Sequence, residues 1–127
     1  MLREFKVFQV SKDLVFEQGL QEAFFNNMMR GTEVTASALA VNDVFKFVAW
    51  VNATDLDEVF AIGNGVSHQR DRILRFARMH SISVGDIIQD QDGKCWVVSS
   101  VGFQEANSLD GYIRKSFADS TYEEVGA

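Results

Sequence analysis

The stretch that decides the fold runs from Met79 to Phe103 and reads MHSISVGDIIQDQDGKCWVVSSVGF. Its pattern indicates strands joined by tight turns. Gly85 can adopt the positive φ that a turn requires, and Asp86 can accept hydrogen bonds from nearby backbone amides. The letters QDG between two apolar runs predict a hairpin with Gly93 in the left-handed conformation. The polar residues of this stretch are therefore predicted to shape the backbone and not to form a reactive centre.

Apolar runs elsewhere in the chain predict the rest of the sheet. EFKVFQV and VFKFVAWV are rich in β-branched and aromatic residues, as strands inside a sheet are. DLVFEQGLQEAFFNNMM and LDEVFAI place apolar residues at helical spacing, whereas RGTEVTASALAVND has the pattern of a connection. We predict an α+β domain in which three to four short helices pack on a small, mostly antiparallel sheet. The predicted strands are 4–10, 44–51, 86–90 and 94–103.

Length and composition set broad limits on the protein. The chain has 127 residues, of which 46% are hydrophobic, and this is enough for one globular domain with a substantial core. We assign the domain to residues 1–118 and expect the acidic end, 119–127, to fray. A single cysteine, the lack of a signal-peptide pattern and the lack of an apolar run of about 20 residues predict a cytoplasmic protein without a membrane span.

A row of arginines is the most distinctive electrostatic feature. HQRDRILRFARM, residues 68–79, predicts a helix in which Arg72, Arg75 and Arg78 lie opposite the apolar face. The Arg70–Arg78 helix is therefore a candidate surface for phosphates or for an acidic partner. A solvated helix face gives the same pattern, and the net charge of −6 favours that interpretation and disfavours a general nucleic-acid binder.

The candidate catalytic residues do not form a recognised set. His68 and His80 lie at opposite ends of the predicted helix, about 18 Å apart at 1.5 Å per residue, which is too far to share a metal ion. Cys95 lies among apolar residues and is predicted to be a buried, small hydrophobic residue. We predict no catalytic residue, no metal and no cofactor, and we treat His80, Ser83 and Asp86 as a candidate polar cluster.

Three aromatic residues on one predicted strand, Phe45, Phe47 and Trp50, offer a second route to nucleic acid, because bases stack on such platforms. Platforms of this kind are usually interleaved with several basic residues. Only Lys46 intervenes here, so we predict that these aromatic side chains belong to the core.

The order of these segments resembles the YodL-like small domains found in proteins of plasmids, phages and other mobile elements. The likeness covers residues 5–10 and 44–106. The residues that match the turn and the final Gly-Phe pair of those domains are His80, Ser81, Ser83, Val84, Asp86, Gly102 and Phe103. The resemblance implies no defined activity. It implies an accessory protein of mobile-element biology, located in the host cytoplasm if a phage encodes it.

Three functional hypotheses follow from the sequence. The first is a non-enzymatic accessory or interaction protein whose partner is an unidentified protein. The second is a nucleic-acid-binding module that uses the Arg70–Arg78 helix. The third, which we favour least, is a small hydrolase centred on His80, Asp86 and Cys95, because no further residue is identified that would orient a Cys–His pair.

Overall fold

The computed structural model of the protein describes residues 1–65 and 70–119. Within these residues it contains five α-helices and a six-stranded antiparallel sheet, which confirms the predicted α+β class. The strands are β1 (Arg3–Val10), β2 (Phe45–Ala53), β3 (Ile73–Arg75), β4 (Ile87–Gln89), β5 (Cys95–Ser99) and β6 (Gly102–Glu105). The helices are α1 (Lys12–Gln18), α2 (Gln21–Arg30), α3 (Glu33–Ala40), α4 (Leu56–Gly63) and α5 (Asp110–Asp119), and short 3-10 helices cover Arg70–Arg72 and Asn107–Leu109. The predicted tail, 119–127, lies outside the described residues from residue 120 onward.

The strand order is β3-β2-β1-β4-β5-β6, so the two longest strands lie side by side in the middle of the sheet. The pairing of β1 with β2 changes register between Val7, which is opposite Ala49, and Phe8, which is opposite Phe47. Val48 is the extra residue of the resulting β-bulge. Because of the bulge, Phe8 and Phe47 share one face of the sheet, whereas Val7 and Ala49 share the other.

Both faces of the sheet are covered, which explains why β1 is apolar on both sides. We call the face under α1, α3 and α5 the first face and the face under α4 the second face. The core on the first face includes Phe8, Leu39, Phe47, Ile87, Val97 and Ile113. The core on the second face includes Val7, Val51, Val59, Ile82, Ile88 and Val98.

The outer edge of β2 is protected by two different elements. The short strand β3 pairs only with Ala49–Val51. Closer to the start of β2, the Ser116 hydroxyl of α5 donates to the carbonyl oxygen of Phe45 at 2.9 Å and accepts from the N–H of Phe47 at 3.1 Å. The serine thus satisfies backbone groups that a neighbouring strand would otherwise bond, and Lys46, between these two residues, remains exposed.

The helix predicted for residues 68–79 is wrong where the structure describes it. Arg70–Arg72 form one turn of 3-10 helix, and Ile73–Arg75 form β3. The edge of β2 has backbone N–H and C=O groups that need partners, and β3 supplies them. Ile73 and Leu74 pair with consecutive residues of β2 and so lie on opposite faces. The apolar residues that fit a helical wheel therefore fit an edge strand equally well.

The connection predicted for RGTEVTASALAVND is also wrong, because most of it forms α3. Thr32 begins the helix with a capping box, in which its side chain accepts from the backbone N–H of Thr35 and the Thr35 hydroxyl accepts from the backbone N–H of Thr32. Ala36, Leu39 and Ala40 are buried on one side of it. Two threonines at capping distance were the signal for this helix.

Two other predicted segments are divided by turns. The predicted strand 94–103 is the hairpin of β5 and β6, with its turn at Ser100 and Val101. The helical pattern around Gly19 is interrupted because Gly19 has φ of 68° and ends α1.

None of the helices in the part of the chain that the structure describes combines the length and the apolar character that crossing a membrane requires.

Candidate functional site

The predicted polar cluster exists, and it is organised by a residue that sequence analysis did not select. Gln9 is 3% exposed on the second face of the sheet. Its Nε2 donates to Asp86 Oδ2 at 2.9 Å and to the carbonyl oxygen of His80 at 3.0 Å, and its Oε1 accepts from the His80 N–H at 3.2 Å. The Ser83 N–H donates to the same Asp86 oxygen at 3.0 Å. His80, Ser83 and Asp86 are therefore brought together around Gln9.

The signal for Gln9 was present in the alternation of β1. Phe5 and Val7 precede it on the same face, so a strand pairing inside the sheet places a polar side chain at a buried position. Buried polar groups are nearly always hydrogen-bonded. The missing information was the identity of the partners, which come from a segment more than seventy residues away.

Asp86 is the unusual ionisable group of this cluster. Its side chain is buried, and burial raises the pKa of the carboxyl from 3.8 to about 6. The N–H of Ser83, the nearby His80 and the Gln9 amide act in the opposite direction but do not offset the loss of solvent. Both hydrogen bonds of Asp86 Oδ2 come from neutral donors. The site therefore holds a carboxyl group that gains a proton under mildly acidic conditions.

His80 lies at the exposed border of the cluster. Its Nδ1 is 2.6 Å from the carbonyl oxygen of Ser81. The same Nδ1 is 3.2 Å from the Nε2 of Gln9, so the tautomer of His80 decides whether Nδ1 donates to Ser81 or accepts from Gln9. Gln9 lies between His80 and Asp86, and no hydrogen bond joins the two side chains directly in the described part of the chain.

Cys95 does not belong to this cluster. It is buried in the core of the first face, as predicted, together with Phe8 and Ile87. Burial raises the pKa of its thiol to about 12, with the carboxylates of Asp110 and Asp90 acting in the same direction. The sheet lies between Cys95 and Asp86. A hydrolase that uses these two residues and His80 thus has no common cleft in this structure.

The three candidate arginines are separated by the fold. Arg72 forms an ion pair with Glu58 of α4, donates from Nε to the carbonyl oxygen of Asn52 at 2.9 Å, and has a side chain only 16% exposed. Arg75 is half-buried in β3. Arg78 is exposed and follows β3. Since no helix aligns them, the predicted stripe is not formed, and Arg72 has a structural role.

The predicted core role of the strand aromatics is confirmed for two of them. Phe45 is 4% exposed and Phe47 is 3% exposed. The Phe47 ring packs against Phe8, Phe76 and Phe117 with centroid distances of 4.8–5.6 Å. Because these rings pack against each other in the core, they are not available for stacking with a base.

A cluster of exposed cations surrounds a cavity of about 430 Å³ beside the polar cluster. We call it the cationic groove and define it by Lys12 at the start of α1, Lys46 in β2 and Arg78 after β3. Asp13 is the carboxylate among its lining residues, and His80 lines it as well. Within residues 1–65 and 70–119, none of the three defining cations takes part in an ion pair. The groove thus places three cations and one carboxylate around one cavity, on a protein of net charge −6.

Two further cavities share lining residues with the groove. One, of about 290 Å³, shares Lys46 and is also lined by Lys115, which is 3.2 Å from its ion-pair partner Asp43. The other, of about 120 Å³, shares Lys12 and His80. A ligand in the groove therefore has further concave surface beside it.

Lys12 and Lys46 could not be recognised from the sequence because each is isolated in the chain. Lys12 stands between Ser11 and Asp13, and Lys46 stands between two phenylalanines. They become neighbours only because β1 and β2 are paired and α1 begins directly after β1. No local pattern of charge contained this information.

Comparison of the chain with protein-family models, with curated proteins and with solved structures gives no match. The resemblance to YodL-like domains therefore stays a prediction.

The candidate metal ligand His68 lies outside the described residues. Among those described, no three His, Cys, Asp or Glu side chains are grouped so that they could hold a metal ion.

Proposed function

We propose that this protein is a non-enzymatic interaction protein that binds an acidic segment of another protein in the cationic groove. The observation that carries the proposal is the arrangement of Lys12, Lys46 and Arg78 around one cavity without ion-pair partners in the described residues. Three cations that line one cavity with a single carboxylate, Asp13, leave a net positive charge that an anionic ligand would offset.

The size of the charged surface favours an acidic protein segment over nucleic acid. Duplex DNA carries one charge per about 1.7 Å of its axis, so it would extend beyond the groove over the rest of the surface. That surface is acidic on balance, because the chain has 18 acidic and 12 basic residues, three of which define the groove. A short run of glutamate or aspartate can place its charges in the groove and end there.

The separation of the candidate catalytic groups supports a role without catalysis. Cys95 and Asp86 lie on opposite faces of the sheet, and Gln9 occupies the hydrogen-bonding positions between Asp86 and His80. The resemblance of the His80–Asp86 turn to YodL-like domains supports an accessory role in mobile-element biology. The polar cluster then serves to hold the segment that carries Arg78 and His80 against β1.

Binding of a fluorescein-labelled hexaglutamate peptide, measured by fluorescence anisotropy at low ionic strength, tests the proposal. We expect the unmodified protein to bind the peptide and the Lys46→Glu/Arg78→Glu variant to lose about tenfold or more in affinity. Each reversal removes an attraction of about 0.2–1 kcal/mol and adds a repulsion of similar size, and about 1.4 kcal/mol is tenfold in affinity. Added salt should weaken binding, since the Debye length at 0.1 M is about 10 Å.

The control changes the net charge equally but elsewhere. Lys94→Glu/Arg114→Glu alters exposed residues of the β4–β5 turn and of α5, and it should retain most of the affinity. Equal losses in the two double variants would show that only net charge matters. A labelled single-stranded oligothymidylate tests the alternative. If it binds more tightly than the peptide, with the same dependence on Lys46 and Arg78, the ligand of the groove is nucleic acid and not an acidic protein segment.

A further inference from the structure

The outward face of α2 is apolar and exposed. Phe25, Met28 and Met29 have 60%, 48% and 63% of their surface accessible. Their spacing of three and four residues places them side by side on one helix face. The opposite side of α2 is packed, because Asn27 is 1% exposed and donates to the carbonyl oxygen of Gly85 at 3.0 Å. α2 is thus fixed in position while it presents three large apolar side chains to the outside. We call these three residues the apolar face.

Met28 connects the apolar face to the cationic groove. It lines the cavity of about 120 Å³ together with Lys12 and His80, and these two residues also line the cavity of the groove. The apolar face therefore adjoins the groove through Met28, on the side formed by Lys12 and His80. Large exposed apolar groups next to a concave charged site are typical of interaction surfaces. Methionine suits such surfaces because its flexible side chain adapts to different partners.

We propose that the partner segment is an acidic amphipathic helix, whose carboxylates contact the cationic groove while its apolar residues pack on Phe25, Met28 and Met29. This inference rests on the proposed function, because it assumes that the groove receives the acidic residues. Charge complementarity selects glutamate or aspartate for one part of the ligand. Because Met28 and Lys12 line the same small cavity, the apolar part of the ligand is expected beside its acidic part.

Two synthetic peptides of identical composition test the inference. In the first, leucines recur at three- and four-residue spacing with glutamates beside them, so that a helix has one apolar and one acidic side. In the second, the same residues are scrambled so that no apolar side forms. We expect the amphipathic peptide to bind about tenfold more tightly than the scrambled one in fluorescence anisotropy, because only its leucines can be buried together on the apolar face.

The variant Phe25→Ser/Met29→Ser locates the apolar contact. Both residues are more than half exposed, so the substitutions remove little packing. The variant should lose the preference for the amphipathic peptide and should retain the unmodified affinity for hexaglutamate. Far-ultraviolet circular dichroism checks that it is folded, and the comparison of the two peptides on the unmodified protein does not depend on the variant.

The outcomes separate this inference from the proposed function. If both peptides bind equally and hexaglutamate still binds through Lys46 and Arg78, the apolar face is not part of the site and the groove remains. If the preference persists in the variant, the apolar contact lies elsewhere and the inference is wrong. If none of the three peptides binds, the proposed function fails and the inference fails with it.

Discussion

Replacing Gly31 with alanine will destabilise the protein far more than the same change at Gly19. Both glycines end a helix in the left-handed conformation, with φ of 59° at Gly31 and 68° at Gly19. A Cβ at position 31 would lie 2.1 Å from the carbonyl oxygen of Val98 and 2.8 Å from the Val84 side chain. A Cβ at position 19 would meet nothing within 4 Å. The two sites thus differ in packing and not in backbone conformation.

The expected losses in the free energy of unfolding at Gly31 and Gly19 follow from that difference in packing. The left-handed conformation costs a non-glycine residue about 1–2 kcal/mol, and both variants bear this cost. Only Gly31→Ala must also displace β5, which overpacking data put at about 1–3 kcal/mol more. Urea unfolding followed by circular dichroism gives both free energies. Equal losses at the two positions would contradict the packing of the end of α2 against β5.

Replacing Asp86 with asparagine will stabilise the protein at neutral pH and leave its stability nearly unchanged near pH 4. The folded-state pKa of about 6 lies above the ordinary value of 3.8, because the carboxyl is buried. Between these two values the folded protein binds more protons than the unfolded chain. The contribution of Asp86 to the stability of the unmodified protein therefore falls as the pH rises from about 4 to about 6.

The stability of the Asp86→Asn variant lacks this dependence on pH. Its side-chain oxygen can still accept from Gln9 and from the Ser83 N–H, so the cluster retains its hydrogen bonds. At 1.36 kcal/mol per pKa unit, the stability difference between variant and unmodified protein should grow from near zero at pH 4 to about 2–3 kcal/mol at pH 7. The nearby His80 also acts on the pKa of Asp86, so the difference between the two proteins is the quantity to measure.

Urea unfolding across this pH range gives that difference, with Glu17→Gln as the matched control. Glu17 is an exposed carboxylate on α1, and its removal should change the pH dependence little. A stability difference between Asp86→Asn and the unmodified protein that does not vary with pH would show that Asp86 is not buried as described.

Local patterns in the sequence were sufficient for most of the sheet. The runs of β-branched and aromatic residues in β1 and β2 and the turn residues Gly85 and Gly93 predicted backbone conformations that the structure has, with φ of 94° and 87° at the two glycines. These features depend on neighbours within a few residues. For the same reason the hydrogen bond from the Ser83 N–H to Asp86 followed from turn chemistry alone.

The errors occurred where a distant part of the chain decided the outcome. Residues 73–75 fit a helix by themselves, and the open edge of β2 makes them a strand instead. The residues of the candidate site show the same contrast between local and distant contacts. His80, Ser83 and Asp86 are close in sequence and were predicted as a cluster, whereas Gln9 joins them through the pairing of β1 with β4. Lys12, Lys46 and Arg78 come from three separate segments, and only the topology brings them together.

Amide chemical shifts of ¹⁵N-labelled protein during titration with unlabelled hexaglutamate test the central claim most directly, because they locate the acidic ligand residue by residue. We expect the perturbed amides to cluster at residues 11–13, at Lys46 and at 77–80, and the changes to vanish at high salt. Perturbations centred on Lys94, Arg114 or any other surface that excludes the cationic groove would contradict the account, as would a spectrum that hexaglutamate leaves unchanged at low salt.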